Sequence, residues 1–188
     1  MSLGLRIIVA VTGASGTIYA VRLLKACRDL GIETHLIVTE AAEKVASHEI
    51  GGTSRLHELA DHSYDPDELE APIASGSFRV DAMVVIPASM KTIGALANGY
   101  VPNLVTRAAD VHLKERRPLI LVPRETPLHA IHLENMVKLS KVGAVILPAM
   151  PAFYHKPETV EDVADFIVGK VLDQLNVANE LYRRWGSG

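Results

Sequence analysis

Short apolar runs separated by amphipathic stretches make up most of the chain. Apolar residues recur at helical spacing between the runs, as Ala20, Leu23 and Cys27 do, and Gly31 is placed to end that helix. The runs themselves are continuous, which is typical of a parallel sheet covered by helices on both faces. Five strands are predicted, at residues 5–11, 33–38, 81–87, 118–123 and 144–149. The pattern therefore predicts a single-domain, three-layer, Rossmann-like (flavodoxin-like) doubly wound α/β fold.

Further helices, one irregular region and a C-terminal tail complete the prediction. Further helices are expected at residues 39–49, 91–97, 103–115, 129–141 and 160–175. The last begins with Thr159-Val160-Glu161-Asp162, a capping-box pattern. Residues 50–80 are predicted to be mostly loop with one helical piece. Residues 1–188 form one predicted domain, whose tail, 176–188, carries Trp185 and is expected to pack on a neighbouring subunit.

Composition narrows the class of protein. Of 188 residues, 48% are hydrophobic and 22% charged, which excludes a disordered chain. The net charge of −3 argues against nucleic acid as a partner. The single cysteine, Cys27, excludes an intrachain disulfide and a four-cysteine zinc site. We find neither a signal peptide nor an apolar run of the ~20 residues that cross a membrane, so a cytoplasmic, soluble protein is expected.

Residues suited to ligand binding follow four of the predicted strands. Because ligands of open parallel sheets bind beyond the carboxyl ends of the strands, these segments should meet at one edge. They are residues 12–16, 87–92, 123–127 and 148–155. Their small residues, hydroxyls and single Arg, Glu and Tyr side chains suit a phosphorylated or flat aromatic ligand.

The first of these segments, Thr12-Gly13-Ala14-Ser15-Gly16, precedes a predicted helix. Backbone amides at a helix N-terminus can face an anion, and Ser15 adds a hydroxyl. The segment is neither a G-x-G-x-x-G motif nor a P-loop. A tight turn that packs the helix on the strand explains its glycines equally well.

Two predicted helices place cations on an apolar stripe. Arg107 and Lys114 share a stripe with Leu104. Lys170 falls within the stripe of the last helix, where it must either extend to solvent, the simpler interpretation, or meet an anion such as phosphate. That stripe comprises Val163, Phe166, Ile167 and Val171.

Two glutamates are candidate acids or bases. Glu49 ends a short predicted helix, and Glu125 follows Arg124 at the end of a strand. Either could transfer protons if it lay beside a reacting group. A solvated helix end for Glu49 and a salt bridge for Glu125 are the alternatives. The eight histidines show no metal-binding spacing, so no catalytic metal is predicted.

Longer motifs resemble the UbiX family of flavin prenyltransferases, long described as aromatic acid decarboxylases. They are SGSF (75–78), PASMKT (87–92), RAADVHLKERRPLILVPRETPL (107–128), IHLENM (131–136), GAVILPAMPAFYHKP (143–157) and RRW (183–185). The resemblance implies metal-independent transfer of a dimethylallyl group from dimethylallyl monophosphate to N5 and C6 of reduced FMN. It further implies a homododecamer and delivery of the prenylated FMN to a UbiD-type decarboxylase, in ubiquinone biosynthesis or aromatic acid decarboxylation.

The resemblance also assigns roles to residues. It places the flavin against Gly13, Ala14, Ser15, Thr39, Ser89, Met90, Lys91, Thr92 and Arg124. It places the donor phosphate against Arg107, Lys114, Tyr154 and Lys170. The implied catalytic residues are Ser15, Glu49, Lys114 and Glu125. Three positions depart from common family residues: Ala88 replaces cysteine, Thr39 replaces serine and Lys170 replaces the arginine of some members.

Two other functions remain open. PASMKT also resembles the PASANT-type motif of flavin-dependent cysteine decarboxylases, but residues 127–136 do not match the segment that covers their substrate. A flavin carrier without enzymatic activity would bind no second substrate. It would therefore need no additional pocket with cations such as Lys170, Arg107 and Lys114. The set of cations therefore favours a phosphate-bearing substrate.

Overall fold

The computed structural model describes residues 4–186, which form one six-stranded sheet flanked by helices. All neighbouring strands are parallel, and their order is β3-β2-β1-β4-β5-β6. The strands are β1 (Arg6–Val11), β2 (Glu33–Val38), β3 (His62–Tyr64), β4 (Ala82–Ala88), β5 (Leu119–Pro123) and β6 (Val145–Ile146). The helices are α1 (Thr17–Leu30), α2 (Glu40–Glu49), α3 (Ser54–Leu59), α4 (Met90–Ala97), α5 (Leu104–Lys114), α6 (Ala130–Lys141) and α7 (Val160–Gln174), with one 3-10 turn, Pro72–Ala74.

Alternate strand residues build two separate cores, which confirms the predicted three-layer fold. In β1, Ile7 and Val9 face one core while Ile8 and Ala10 face the other, and all four are fully buried. One core contains apolar residues of α1, α3 and α7, and the other contains those of α4, α5 and α6. The continuous apolar strands of the sequence therefore reflect burial on both faces.

Helix ends follow the signals read from the sequence. Gly31 ends α1 in the left-handed conformation at φ 69°, which glycine adopts without strain. Thr159 begins α7 with the predicted capping box, since its side chain accepts from the amide of Asp162 while the Asp162 carboxylate accepts from the amide of Thr159. Each helix predicted from the periodicity is present, with ends that differ by one residue at most.

The strand prediction needs two corrections. Residues 50–80 contain the one expected helical piece, which is α3, but they also contain the sixth strand, β3. The strand β3 is short, lies at the sheet edge and is largely exposed, so its sequence, His-Ser-Tyr, needs no apolar run and gave no strand signal. At the other edge β6 is shorter than the predicted 144–149, although the amides of Leu147 and Ala149 continue to donate to β5 carbonyls.

The order of the strands locates the site. The chain moves outward from β1 to β2 and β3, then returns to place β4 on the other side of β1. In an open α/β sheet, the crevice beyond the carboxyl ends of two such strands is where ligands bind. The segments after β1 and β4 border this crevice.

Candidate active site

A cleft of about 440 Å³ opens at the carboxyl ends of β1, β2 and β4. Several residues that the resemblance assigns to the flavin line it, namely Gly13, Thr39, Ser89, Lys91 and Thr92. The helices α2 and α4 both begin here, so their unpaired N-terminal amides and positive dipole ends face this region. The arrangement suits an anion such as phosphate.

Hydroxyl groups on the cleft floor are held in a connected network. Thr12 is buried, and its Oγ1 donates to the carbonyl of Pro87 at 2.8 Å and accepts from the amide of Ser89 at 2.8 Å. Ser89 in turn caps α4 by accepting from the amide of Thr92. The loops after β1 and β4 are thereby tied together, which gives the cleft a defined shape without a ligand.

Gly13 allows a close approach between the first turn and α2. A Cβ at this position would lie 2.5 Å from the Cβ of Ala41, much closer than two carbons can come. Glycine is therefore required here for packing. Because it has no side chain, the backbone of the turn is also accessible from the cleft.

The N-terminus of α1 holds a carboxylate of the chain itself. Glu49 accepts from the Ser15 hydroxyl at 2.5 Å, the Gly16 amide at 3.0 Å and the Thr17 amide at 2.8 Å. Burial raises the pKa of Glu49, but these hydrogen bonds outweigh it, so the pKa lies below its usual value. Glu49 is exposed at the end of α2, as the alternative of a solvated helix end has it, but its carboxylate is also bound by the first turn. An anion at this turn is therefore supplied by the chain itself.

Arg124 and Glu125 follow β5, as predicted, and both are exposed. The amide of Arg124 donates to the carbonyl of Ala88, which joins this loop to the end of β4. Burial raises the pKa of Tyr19, while the charge of Arg124 lowers it and that of Glu49 raises it. The field of Arg124 therefore reaches the beginning of α1. The carboxylate of Glu125 accepts from the amide of Thr126 and not from Arg124.

The α7 side of the molecule carries an aromatic cluster, made of Tyr154, His155, Phe166, Tyr182 and Trp185. The rings of Tyr154 and Trp185 meet edge to face at 5.2 Å. Trp185 is 81% exposed, so one side of this cluster is open to solvent.

Lys170 lies beside this cluster and does not occupy a buried stripe. Its side chain is 43% exposed, and its Nζ lies 3.8 Å from Oδ2 of Asp173. The Lys170 side chain thus extends to solvent, the simpler of the two interpretations, whereas the predicted stripe was only partly right because α7 is rotated against the sheet. The buried residues of that face include Ala164, Ile167, Val168, Val171 and Leu172, whereas Val163 and Phe166 are only half-buried.

Arg107 and Lys114 lie in the opposite helical layer, on α5. Arg107 Nε donates to the carbonyl of Ala74 at 3.0 Å, and Lys114 pairs with Glu115 at 2.6 Å. Because α5 rises 1.5 Å per residue, Lys114 lies about 15 Å from the start of the helix, toward the amino ends of the strands. Within one chain, these two cations do not meet Lys170.

One group of potential metal ligands occurs among residues 4–186, away from the cleft. Glu33 Oε1 lies 3.2 Å from His35 Nε2 and 3.3 Å from His62 Nε2. Arg6 approaches the same oxygen at 3.0 Å, and the two imidazoles are stacked. Since the lone pair of an imidazole lies in its ring plane, stacked rings do not aim at one ion. These side chains form an ion-pair cluster between strands, which residue spacing along the chain did not reveal.

The fold and the cleft are those of a flavin-binding α/β protein. Residues 1–172 match the protein-family model described as Flavoprotein, and the chain belongs to that family. It is 55% identical over 180 residues to the flavin prenyltransferase UbiX of Methanothermobacter thermautotrophicus, covering 95% of this chain and 94% of the relative. The chain is therefore a member of the UbiX flavin prenyltransferases, which confirms the family predicted from its motifs.

Solved structures support the same assignment. AnUbiX (PadA1), crystallised with FMN and dimethylallyl pyrophosphate, superposes with a TM-score of 0.95 at 44% identity and 98% coverage of both chains. A dodecameric FMN-dependent UbiX-like decarboxylase from Escherichia coli O157:H7 gives 0.94 at 47% identity, covering 97% of this chain and all of the other. No helix within residues 4–186 is long and apolar enough to cross a membrane.

Other cleft residues were missed by sequence reasoning. They are Glu40, Ala41, Lys44, Pro66, Asp67, Tyr100, Pro102 and Asn103. Glu40 and Lys44 follow directly from the position of α2, whose start at the cleft was predictable. Pro66 and Asp67 follow β3, the strand that the apolar pattern did not reveal, so their approach to the cleft had no signal in the sequence.

Proposed function

We propose that this protein joins the dimethylallyl group of dimethylallyl monophosphate to N5 and C6 of reduced FMN. The observation that carries the proposal is the cleft at the crossover of the sheet, in a chain of the UbiX family. In this reaction the carbon–oxygen bond of the donor breaks and phosphate leaves. C1 of the dimethylallyl group bonds to N5, which loses its proton. The double bond of the group then takes up a proton, C3 bonds to C6, and C6 loses its proton, so the proton released at N5 balances the one taken up. The product is prenylated FMN for a UbiD-type decarboxylase, and no metal ion takes part.

The residues of the cleft fit FMN. A volume of about 440 Å³ lies within the range of small-molecule sites, about 300–1,000 Å³. The helix N-termini and Lys91 suit the terminal phosphate, and the hydroxyls of Thr39, Ser89 and Thr92 suit the polyol chain. FMN supplies an electron-rich nitrogen and ring carbon, and the protein fixes their orientation toward the donor. We place Ala14, Ser15, Met90 and Arg124 around the isoalloxazine.

The two glutamates and Ser15 would handle protons. Glu49 is kept ionised by its hydrogen bonds, as a proton acceptor must be, and we assign it removal of the C6 proton. The same hydrogen bonds make it a weaker base, so the Ser15 hydroxyl at 2.5 Å must loosen when Glu49 accepts a proton. Glu125 is assigned proton exchange with the departing phosphate.

The donor would lie between the flavin and the aromatic cluster. Lys170 and the Tyr154 hydroxyl hold its phosphate, and preorganised groups of this kind stabilise a leaving anion. The rings of Tyr154 and Trp185 stabilise the carbocation-like prenyl group and exclude water.

A neighbouring copy would complete the phosphate site. Arg107 and Lys114 cannot reach Lys170 within one chain, so their assigned role requires a second subunit. A homo-oligomer, by resemblance a dodecamer like the E. coli relative, would supply them and would cover the exposed face of Trp185. The tail contact with a neighbouring subunit remains a prediction, and its residues 187–188 lie outside the described part of the chain.

Anaerobic incubation of the protein with reduced FMN and dimethylallyl monophosphate tests the proposal. We expect the mass spectrum of the released flavin to show a gain of one isoprene unit, and no loss of product when a chelator is present. Unmodified FMN with both the monophosphate and the pyrophosphate donor would contradict it. Decarboxylation of a cysteine-containing peptide under the same conditions would instead favour the cysteine decarboxylase function.

A further inference from the structure

Most side-chain hydrogen bonds between the C-terminal tail and α7 go to one carboxylate, that of Asp173. Tyr182 donates its hydroxyl to Oδ2 at 2.8 Å, and Arg184 donates to Oδ1 at 2.7 Å and to Oδ2 at 3.1 Å. Asn179 donates to Oδ1 at 3.0 Å. Three tail residues thus converge on one side chain, which is only 19% exposed.

A second feature of α7 fits the tail to the same place. A Cβ at Gly169 would lie 2.5 Å and 2.6 Å from two ring carbons of Tyr182. Glycine therefore lets the Tyr182 ring lie directly on the helix, one turn before Asp173. The centre of the Tyr182 ring lies 4.9 Å from that of Phe166, and the guanidinium of Arg184 lies over the Tyr182 ring at 5.2 Å.

The tail brings its tryptophan to the aromatic cluster. Trp185 follows Arg184 directly and touches the Tyr154 ring. Asp173 also faces the Lys170 ammonium at 3.8 Å. One carboxylate is therefore linked to both groups that the proposed function places around the donor, the aromatic wall and the phosphate-binding lysine.

We propose that Asp173 is a positioning residue for the prenyl donor. Asp173 holds the tail on α7, so that the Trp185 ring lies beside Tyr154 and completes the aromatic surface that faces the donor. The proposal rests on the proposed function for its catalytic consequence, but not for the attachment of the tail. Hydrogen bonds from Arg184 outweigh burial and lower the pKa of Asp173 to about 2, so the attachment persists throughout the neutral pH range.

The protein offers a direct readout, because Trp185 is its only tryptophan. Fluorescence anisotropy of the intact oligomer reports how freely Trp185 moves, with or without substrate. The variants are Asp173→Asn, which removes the charge from α7, and Arg184→Gln, which removes the partner on the tail. Glu161→Gln is the matched control, since it removes an exposed charge from the first turn of the same helix, far from the tail contacts of Asp173.

We expect lower anisotropy of Trp185 in both variants and an unchanged value in the control. The KM for dimethylallyl monophosphate should rise about tenfold, the effect of losing one hydrogen bond to a charged group, while FMN affinity stays unchanged. The double variant should be no worse than either single variant.

Each other outcome has a definite meaning. Unchanged anisotropy in Asp173→Asn and Arg184→Gln would show that Asp173 does not hold the tail. Increased Trp185 motion with an unchanged donor KM would show that the tail plays no part in donor binding, and either result overturns the proposal. If the wild-type protein transfers no prenyl group, the proposed function fails, while anisotropy still tests the attachment itself.

Discussion

Replacing Glu49 by glutamine keeps the shape of the side chain but removes the charge that three donors of the first turn share. The donors are the Ser15 hydroxyl and the amides of Gly16 and Thr17. Glutamine can accept from them with only one oxygen, and its NH₂ group would face the amides. We therefore expect Glu49→Gln to destabilise the start of α1 in addition to any effect on catalysis.

The expected size follows from the contacts. A hydrogen bond to a charged group contributes about 1.5–3 kcal/mol, and a carboxylate at a helix N-terminus about 0.3–1 kcal/mol. Glu49 remains partly accessible to solvent, which weakens both effects, so we take a combined loss of about 1–2 kcal/mol. In a domain of this size, each kcal/mol lowers Tm by about 2–4 °C.

The effect should depend on pH with a definite sign. The pKa of Glu49 is lower in the folded than in the unfolded protein, so its stabilisation is complete above the unfolded value of about 4.3. It is lost as the pH falls through the lower, folded pKa. Wild-type and variant should therefore differ at pH 7 and converge in acid.

Urea unfolding at pH 7 and at acidic pH, at one fixed protein concentration, measures the difference. Glu134→Gln, an exposed glutamate on α6, is the matched control and should have no effect. The Ser15→Ala, Glu49→Gln pair should be less than additive, because both changes remove the same hydrogen bond. Equal stability of wild-type and Glu49→Gln at pH 7 would refute the reasoning.

Three further predictions concern other contacts. Gly13→Ala forces its Cβ against Ala41 and should cost about 1–3 kcal/mol in urea unfolding and weaken FMN binding in a flavin fluorescence titration; unchanged stability would contradict the close packing. Arg22→Met breaks the two short hydrogen bonds to Asp165 that join α1 to α7, and should lower the free energy of unfolding by about 2–4 kcal/mol. The change leaves the nearly buried carboxylate unpaired, and Asp165→Asn in the same background should recover part of the loss. Lys170→Met should raise the donor KM about tenfold or more while Lys170→Arg retains activity, since both cations can bind phosphate; equal steady-state kinetics of Lys170→Met and wild-type would remove Lys170 from the site.

The sequence predicted the fold best for elements whose apolar pattern directly reflects their burial. Strands such as β1 and β4 are buried on both faces, so a continuous apolar run identified them directly. Their parallel arrangement then fixed which loops meet at the carboxyl edge. For this reason the segments containing Gly13 and Ser89 could be placed at one cleft from the amino-acid pattern alone.

Contacts between distant parts of the chain could not be predicted in the same way. The carboxylate that fills the start of α1 comes from Glu49, more than thirty residues after Ser15, and no local pattern indicates such a partner. The position of Lys170 depended on how α7 is rotated against the sheet, which an apolar stripe defines only within about one residue position. Its interaction with Asp173 also requires the tail to fold back.

The separation of the cations has a similar explanation. Arg107 and Lys114 share a helix face in the sequence, but only the topology shows that α5 lies in a different layer from α7. Sequence motifs of a family record the residues of a site without recording which copy of the chain supplies them. Geometry within one chain therefore adds the requirement for a second subunit to the proposed mechanism.

The most direct test of the central claim uses reduced FMN deuterated at C6. After anaerobic incubation with the protein and dimethylallyl monophosphate, the released flavin should gain one isoprene unit and lose its deuterium, because ring closure replaces the C6 hydrogen by carbon. Flavin that returns unmodified with either phosphate donor would contradict prenyl transfer. A prenylated flavin that retains deuterium would contradict bond formation at C6.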